Sequence, residues 1–350
     1  GKTVWSRTFG RVNTAGKKPS DTTKFGIGSV GKMVTTTAVM QLVDAGKISL
    51  DAPVVQYVPD FSMKSPQYRQ ITVRMLLNHS AGLPGTDYAD SISSQPIPSY
   101  VDGVLAGLAN SHLKTTPGAM NVYCNDCFTL AGVVVERVSG MPFQDYVKSN
   151  ILKPLRMRHS SYPTSVPTPG TMAPIIQDGK VQPIEITNFF AAGGLMSTAR
   201  DMARLAKVFT NDGVVRGRRI LSSSAIQQMA ADQTTTTLRA GSPGAFRYGL
   251  GWDTVQDPAL KSAGVLGWTK GGDSNDYHAA FAVAPEQELA VVVAGAGRTF
   301  SSTAAETVAH TMLLKGLVET GAIRRSPKQI SRTPAKQKAT RRDIKQITGV

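Results

Sequence analysis

The chain has 350 residues, of which 41% are apolar, 18% charged and 7% aromatic. That composition supplies a packed core and excludes a chain disordered throughout, and the length fits one large domain or two smaller ones. Lys and Arg number 39 against 24 Asp and Glu, a formal charge of +15, which taken alone raises nucleic acid or an anionic membrane surface as a partner.

The distribution of the charge turns the reading away from both. Residues 324–350 hold nine basic side chains and one acid, Asp343, so +8 falls in the last 27 positions and +7 on all the others. We read 1–323 as the folded body and 324–350 as a basic, Pro-punctuated linker toward a further domain. No run of about 18 apolar residues occurs, so no spanning helix is expected. Gly1-Lys2-Thr3-Val4 shows neither an initiator Met nor a signal peptide.

Partial alternation over residues 2–12 predicts a strand, followed by a turn at 15–20. Apolar residues recur at helical spacing between Gly31 and Ala45 (Met33, Val34, Ala38, Val39, Leu42, Val43), and Gly46 is a natural stop. Short helices or turns are expected over 51–59 and 72–79, a polar loop over 86–99, and helices over 100–109 and 128–139. The Pro-, Ser- and Thr-rich stretch 160–187 predicts a surface excursion. A helix over 198–211 carries Asp201 in its first turn. His278–Ala284 and Glu288–Ala294, separated by Pro285-Glu286-Gln287, predict a hairpin, and Thr303–Thr320 a final helix. Strands on both sides of a mostly helical middle imply an α+β architecture, an α/β sandwich with a helical lobe inserted.

Three short stretches carry candidate chemistry. In Ser29-Val30-Gly31-Lys32, three residues of spacing at a helix start put Ser29 and Lys32 on one face. A desolvated Lys is able to take the Ser proton, and the helix N-terminus favours negative charge developing there. The alternative is a capping Ser and a solvated Lys. In Tyr123-Cys124-Asn125, an extended backbone points residues i and i+2 the same way, against the alternative of a buried Tyr beside an Asn turn. In Lys270-Gly271-Gly272-Asp273, two glycines after the Lys fit an edge strand whose backbone lies against a ligand, or else a Gly-rich turn. Cys124 and Cys127 are either two small buried residues or a local disulfide. Two cysteines cannot build a structural zinc site, and the five His (79, 112, 159, 278, 310) show no metal spacing. No metal or other cofactor is expected.

In this order and spacing, the three stretches resemble the penicillin-recognising serine hydrolases: serine β-lactamases, DD-peptidases and related esterases and D-aminopeptidases, most of all the class C-like branch. Phe25-Gly26-Ile27-Gly28-Ser29, residues 46–51, 76–83 and 192–203, and Tyr248-Gly249-Leu250-Gly251-Trp252 resemble that family too. The resemblance covers about residues 1–320. It implies a β-lactamase/transpeptidase-like fold, with an antiparallel sheet flanked by helices, and an acyl-enzyme mechanism. Ser29 would be the nucleophile, and Lys32 and Tyr123 would share the general-base role. Asn125 would hold Lys32 and bind substrate. Lys270, with Gly271 and Gly272, would border the substrate, lower the Tyr123 pKa and attract an anionic group. The backbone N–H groups of Ser29 and Asp273 would form the oxyanion hole.

Two departures bear on the substrate. Gly271 stands where β-lactamases and DD-peptidases usually carry Thr or Ser, while Lys270 stands where many esterase-like relatives carry His. Asp273 adds a carboxylate that would repel anions or receive an amine. His79 lies in a loop that the family uses structurally. The expectation is a secreted or periplasmic hydrolase of small-molecule esters, amides or peptides, with an N-terminal helix and strand missing. The alternatives are a β-lactamase or DD-carboxypeptidase, a non-catalytic sensor or scaffold domain on the same fold, and a tail that binds nucleic acid. The oligomeric state is not legible.

Overall fold

A computed structural model describes residues 2–238 and 246–324. β1 (Phe25–Gly26) leads through a tight 3-10 turn at Gly28–Gly31 into α1 (Lys32–Asp44). α2 (Val73–Leu77), β2 (Ile92–Ser93), α3 (Tyr100–Ala109), α4 (Asn125–Ser139) and α5 (Phe143–Val147) build the helical lobe. β3 (Ile175–Gln177), β4 (Lys180–Gln182), β5 (Ile186–Thr187), α6 (Phe190–Gly193), β6 (Met196–Ser197), α7 (Ala199–Thr210), β7 (Val214–Val215), β8 (Arg218–Arg219) and α8 (Ser223–Ala230) return the chain across it. α9 (Pro258–Ser262), β9 (Trp268–Asp273), β10 (Tyr277–Ala284), β11 (Leu289–Ala296) and α10 (Ser302–Glu319) complete the described chain.

The main sheet is antiparallel in the order β11-β10-β9, with Lys270 opposite Phe281 and Asp273 opposite His278. Every residue of β10 is buried, as a central strand between two partners requires. α10 covers one face through Ala305, Ala309, Leu313 and Leu317. The larger core lies on the other side, centred on α1 and α4 and including Trp252 and Phe281. The predicted hairpin is present, with Glu288 at φ 53° in its turn. The α+β architecture is the one expected.

Two expectations are corrected. Residues 2–12 form no strand; they run irregularly, with Val4, Trp5 and Phe9 exposed. Alternation marks what a strand would bury, but pairing needs a second backbone, and no described strand pairs with this segment. The stretch 160–187 is more than a surface excursion. It contributes β3, β4 and β5, and it buries Met172, Ala173, Ile175 and Ile186 in a small core with Met196 and Tyr277. The expected basic linker, Arg324 apart, lies outside the described residues.

Candidate active site

The Ser29 turn is held from both sides by backbone. Ile27 N–H donates to Leu195 O at 3.2 Å. Gly28 has φ +49°, and a Cβ there would stand 2.7 Å from the backbone nitrogen of Asp273. A Cβ on Gly272 would stand 2.1 Å from Ile27 O. Only glycine at both positions lets the strand end and the turn touch, and that contact brings Ser29 and Asp273 to one place.

Lys32 opens α1 and is fully buried. Its Nζ lies 3.0 Å from Ser29 Oγ, 2.6 Å from Asn125 Oδ1 and 2.7 Å from Ala192 O. Burial, helped by the charge of Lys270 and opposed by Asp253, pushes Lys32 well below the usual lysine value.

Tyr123 and Asn125 flank the N-cap of α4. Cys124 is extended, at φ −148°, its sulfur accepts from Cys127 N–H, and a disulfide joins the two cysteines. The open choice between free thiols and a bond thus falls to the bond. The first helical residue is Asn125, whose Nδ2 donates to Thr86 Oγ1 at 3.1 Å. Ser29 lies near enough to the Tyr123 hydroxyl to favour its ionised form slightly, and Lys32 Nζ lies 4.9 Å from the Tyr123 ring centroid.

Lys270 Nζ reaches Tyr123 OH at 3.3 Å, but its shorter contacts are to the Asp253 carboxylate, at 2.8 and 3.0 Å. Lys270 acts on Tyr123 in the expected direction, lowering it, but burial outweighs this and Asp253 adds to burial, so the hydroxyl is pushed up overall. Lys270 is no free cation. Burial disfavours its charge, yet Asp253 and Tyr123 together raise it above the usual value. Asp273, read as a carboxylate that would repel anions or receive an amine, pairs with His278.

The structure therefore brings together Ser29, Lys32, Tyr123, Asn125, Lys270 and the backbone of Gly272 and Asp273. The motifs did not announce Asp253, His79 or the Ala192 carbonyl. His79, at φ 64°, stacks on Tyr123 with centroids 4.5 Å apart, and its Nδ1 accepts from Cys124 N–H at 3.1 Å. Burial, Lys32 and Lys270 hold His79 well below the usual histidine value, so it forms an uncharged back wall for the phenol. The signal for Asp253 was a buried Lys on a strand, which needs a counterion, and an acid directly after Gly251-Trp252.

A separate cavity of about 230 Å³ is lined by Arg156, Arg158, Arg204, Lys207 and Arg216 and contains none of these groups. Among the described residues no cluster of three or more His, Cys, Asp or Glu is placed to hold a metal ion. None of their helices is long and apolar enough to cross a membrane.

Known proteins resemble this chain in sequence and in fold. Protein Rv1367c of Mycobacterium tuberculosis is 29% identical over 309 residues, covering 75% of this chain and 76% of that protein. Penicillin-binding protein 4 of Amycolatopsis lactamdurans is 27% identical over 239 residues, and the match spans 65% of this chain and 61% of that protein. Among solved structures, a D-stereospecific amidohydrolase from Streptomyces sp. superposes with a TM-score of 0.60 at 26% identity, over 81% of this chain and 85% of that one. The octameric penicillin-binding protein homologue of Pyrococcus abyssi shares the fold, with a TM-score of 0.69 at 24% identity over 93% of this chain and 72% of its own. The Beta-lactamase family model matches residues 1–310, and the chain belongs to that family of hydrolases and penicillin-binding proteins.

Proposed function

We propose that the protein is a serine hydrolase that cleaves esters or amides through an acyl-enzyme on Ser29. The observation that carries this reading is how Lys32 uses its hydrogens. A neutral amine has two N–H groups and one lone pair. Asn125 Oδ1 and Ala192 O, at 2.6 and 2.7 Å, are pure acceptors and take both hydrogens. In that neutral state the third contact, between Lys32 Nζ and Ser29 Oγ at 3.0 Å, uses the lone pair and the Ser29 hydroxyl donates to it, whereas the ammonium would donate to Ser29. Enclosure favours that neutral state.

Ser29 Oγ attacks the acyl carbonyl as its proton passes to Lys32 Nζ. The backbone N–H groups of Ser29 and Asp273 receive the oxyanion, and losing one such donor costs roughly 3–4 kcal/mol. Tyr123, kept as a phenol by its surroundings, donates its proton to the leaving oxygen or nitrogen as the bond breaks, and Lys32 restores it. Water then attacks the acyl-enzyme along the same path. The second Asn125 Nδ2 hydrogen, beyond the one given to Thr86, is available to a substrate carbonyl. A secreted or periplasmic location goes with this reading, supported by the Cys124–Cys127 bond.

The alternative within enzymes, a β-lactamase or DD-carboxypeptidase, is favoured by the retention of Lys270. The test is a panel of p-nitrophenyl esters, a D-alanyl anilide, nitrocefin and a D-alanyl-D-alanine peptide, read by turnover and by intact mass. We expect turnover and an acyl adduct in the wild type and neither in Ser29→Ala. Full activity of Ser29→Ala on the best substrate overturns the reading. Stable penicillin labelling of Ser29 would favour the carboxypeptidase, and nitrocefin turnover the β-lactamase.

A further inference from the structure

β9 is the open strand of its sheet, and its outer edge is where an extended substrate would lie. Most of that edge is already taken. Thr269 N–H donates to Thr254 O at 2.9 Å, and Asp253 N–H donates to Thr269 O at 3.1 Å. The next outward N–H, that of Gly271, donates to Asp253 Oδ2 at 2.9 Å. The same buried carboxylate takes Lys270 Nζ on both oxygens, at 2.8 and 3.0 Å. Backbone closes the edge at Thr269, and the Asp253 side chain closes it at Gly271 and pairs the Lys beside it.

The neighbourhood of this pair is acidic. A Cβ on Gly271 would stand 2.4 Å from Glu306 Oε1, on α10, so a carboxylate oxygen occupies the space that a hydroxyl-bearing residue would need. Asp273, exposed at the strand end, is bonded to His278. The nearby Arg247 is paired with Asp232 at 3.1 Å. Lys32 is held toward its neutral form. Among the described residues, a substrate carboxylate arriving beside Gly271 would therefore meet a compensated Lys and the carboxylates of Asp253 and Glu306.

We propose that Asp253 is a positioning residue that withdraws the charge of Lys270 from substrate recognition, so that the site selects acyl substrates carrying a neutral or cationic group beside β9 and discriminates against carboxylates there. This rests on the acyl-enzyme reading above and deepens it. The pH profile gives a second readout of the same Asp253–Lys270 contact. The charged or titratable groups around Lys270 are Asp253, Tyr123, Lys32 on α1, His79 after α2, Tyr248, Glu306 on α10, and the Asp273–His278 pair. The negative charge of Asp253 raises both Lys32 and Tyr123. Asp253→Asn removes that support, so the rising limb of kcat/KM moves to lower pH.

The test uses a matched pair of phenylacetylglycyl esters, one of phenol and one of 3-hydroxybenzoate, which differ by one carboxylate. The wild type is expected to favour the neutral ester by about tenfold or more, and Asp253→Asn to close or invert that ratio while shifting the pH limb acidward. Asp253→Glu should keep the wild-type preference. A wild type that prefers the carboxylate ester overturns the proposal even if no variant folds. So does an Asp253→Asn enzyme that loses activity equally on both esters with an unmoved pH limb, which is the mark of a merely structural role. Ser29→Ala separates the two levels. Ester cleavage that survives it refutes the acyl-enzyme reading, whereas Ser29-dependent cleavage with the wrong ratio refutes only the role of Asp253. Failure to cleave either ester refutes the proposed selectivity and leaves the acyl-enzyme reading to the substrate panel above.

Discussion

Two buried lysines lie beside Tyr123, and the fold gives them opposite characters. Lys32, on the helical lobe, is ringed by uncharged acceptors and is driven toward the free amine. Lys270, on the sheet, is met by a carboxylate and keeps its proton. Burial is common to both, so burial does not decide charge; the partner does. A single site thereby holds a lysine pushed toward its free amine and a lysine paired with a carboxylate about equally far from one phenol ring, at 4.9 and 5.0 Å from its centroid.

The largest expected effect breaks the Lys32 side. Lys32→Met should lower kcat/KM by about 10²–10⁴, the range of general acid–base catalysis, measured on the best ester. The same variant should be more stable than the wild type. The folded pKa of Lys32 is depressed, so between that value and the usual lysine value the unfolded chain binds the extra proton. Lys32 therefore costs stability in full below its folded pKa, and the cost fades as pH rises to the usual lysine value. Urea unfolding across that range should show the gap between variant and wild type narrowing with pH.

The next effect breaks the other side. Lys270→Met leaves Asp253 buried without its cation and should cost about 3–5 kcal/mol by urea unfolding at neutral pH. The double variant Lys270→Met with Asp253→Leu should recover most of that loss, because replacing a whole buried pair is far cheaper than halving it. A double variant no better than the single would show that the pair is not the unit. The smallest effect sharpens the comparison by leaving both lysines alone. Removing the Cys124–Cys127 bond closes no long loop, so Cys124→Ser with Cys127→Ser should cost at most about 2 kcal/mol by thermal unfolding.

The parts of the site legible in the sequence were those built locally. Ser29 and Lys32 share a helix start, Tyr123 and Asn125 sit two apart across an N-cap, and Lys270 precedes two glycines. Asp253 and His79 were not legible as partners because they arrive from turns remote in sequence and touch the motifs only through tertiary packing. The Asp273–His278 pair was missed for a related reason: it is a register contact across β9 and β10, and a hairpin's register is not written in its composition. Residues 2–12 failed in the other direction. Their alternation is a local property, whereas strand formation requires a neighbouring backbone, which the described sheet does not provide there. The long helices were read within a few residues of their observed bounds, since periodicity and stop signals lie within each segment.

The glycine contact between the Ser29 turn and the end of β9 joins two stretches from opposite ends of the described chain. Such a contact has nearly the highest sequence separation the fold contains, and loop-closure entropy must be met before it forms. The helical lobe is able to assemble from nearby partners well before that. Completion of the proposed site is thus expected late in folding, and a half-folded chain would hold Ser29 and Lys32 without the backbone of Asp273 beside them.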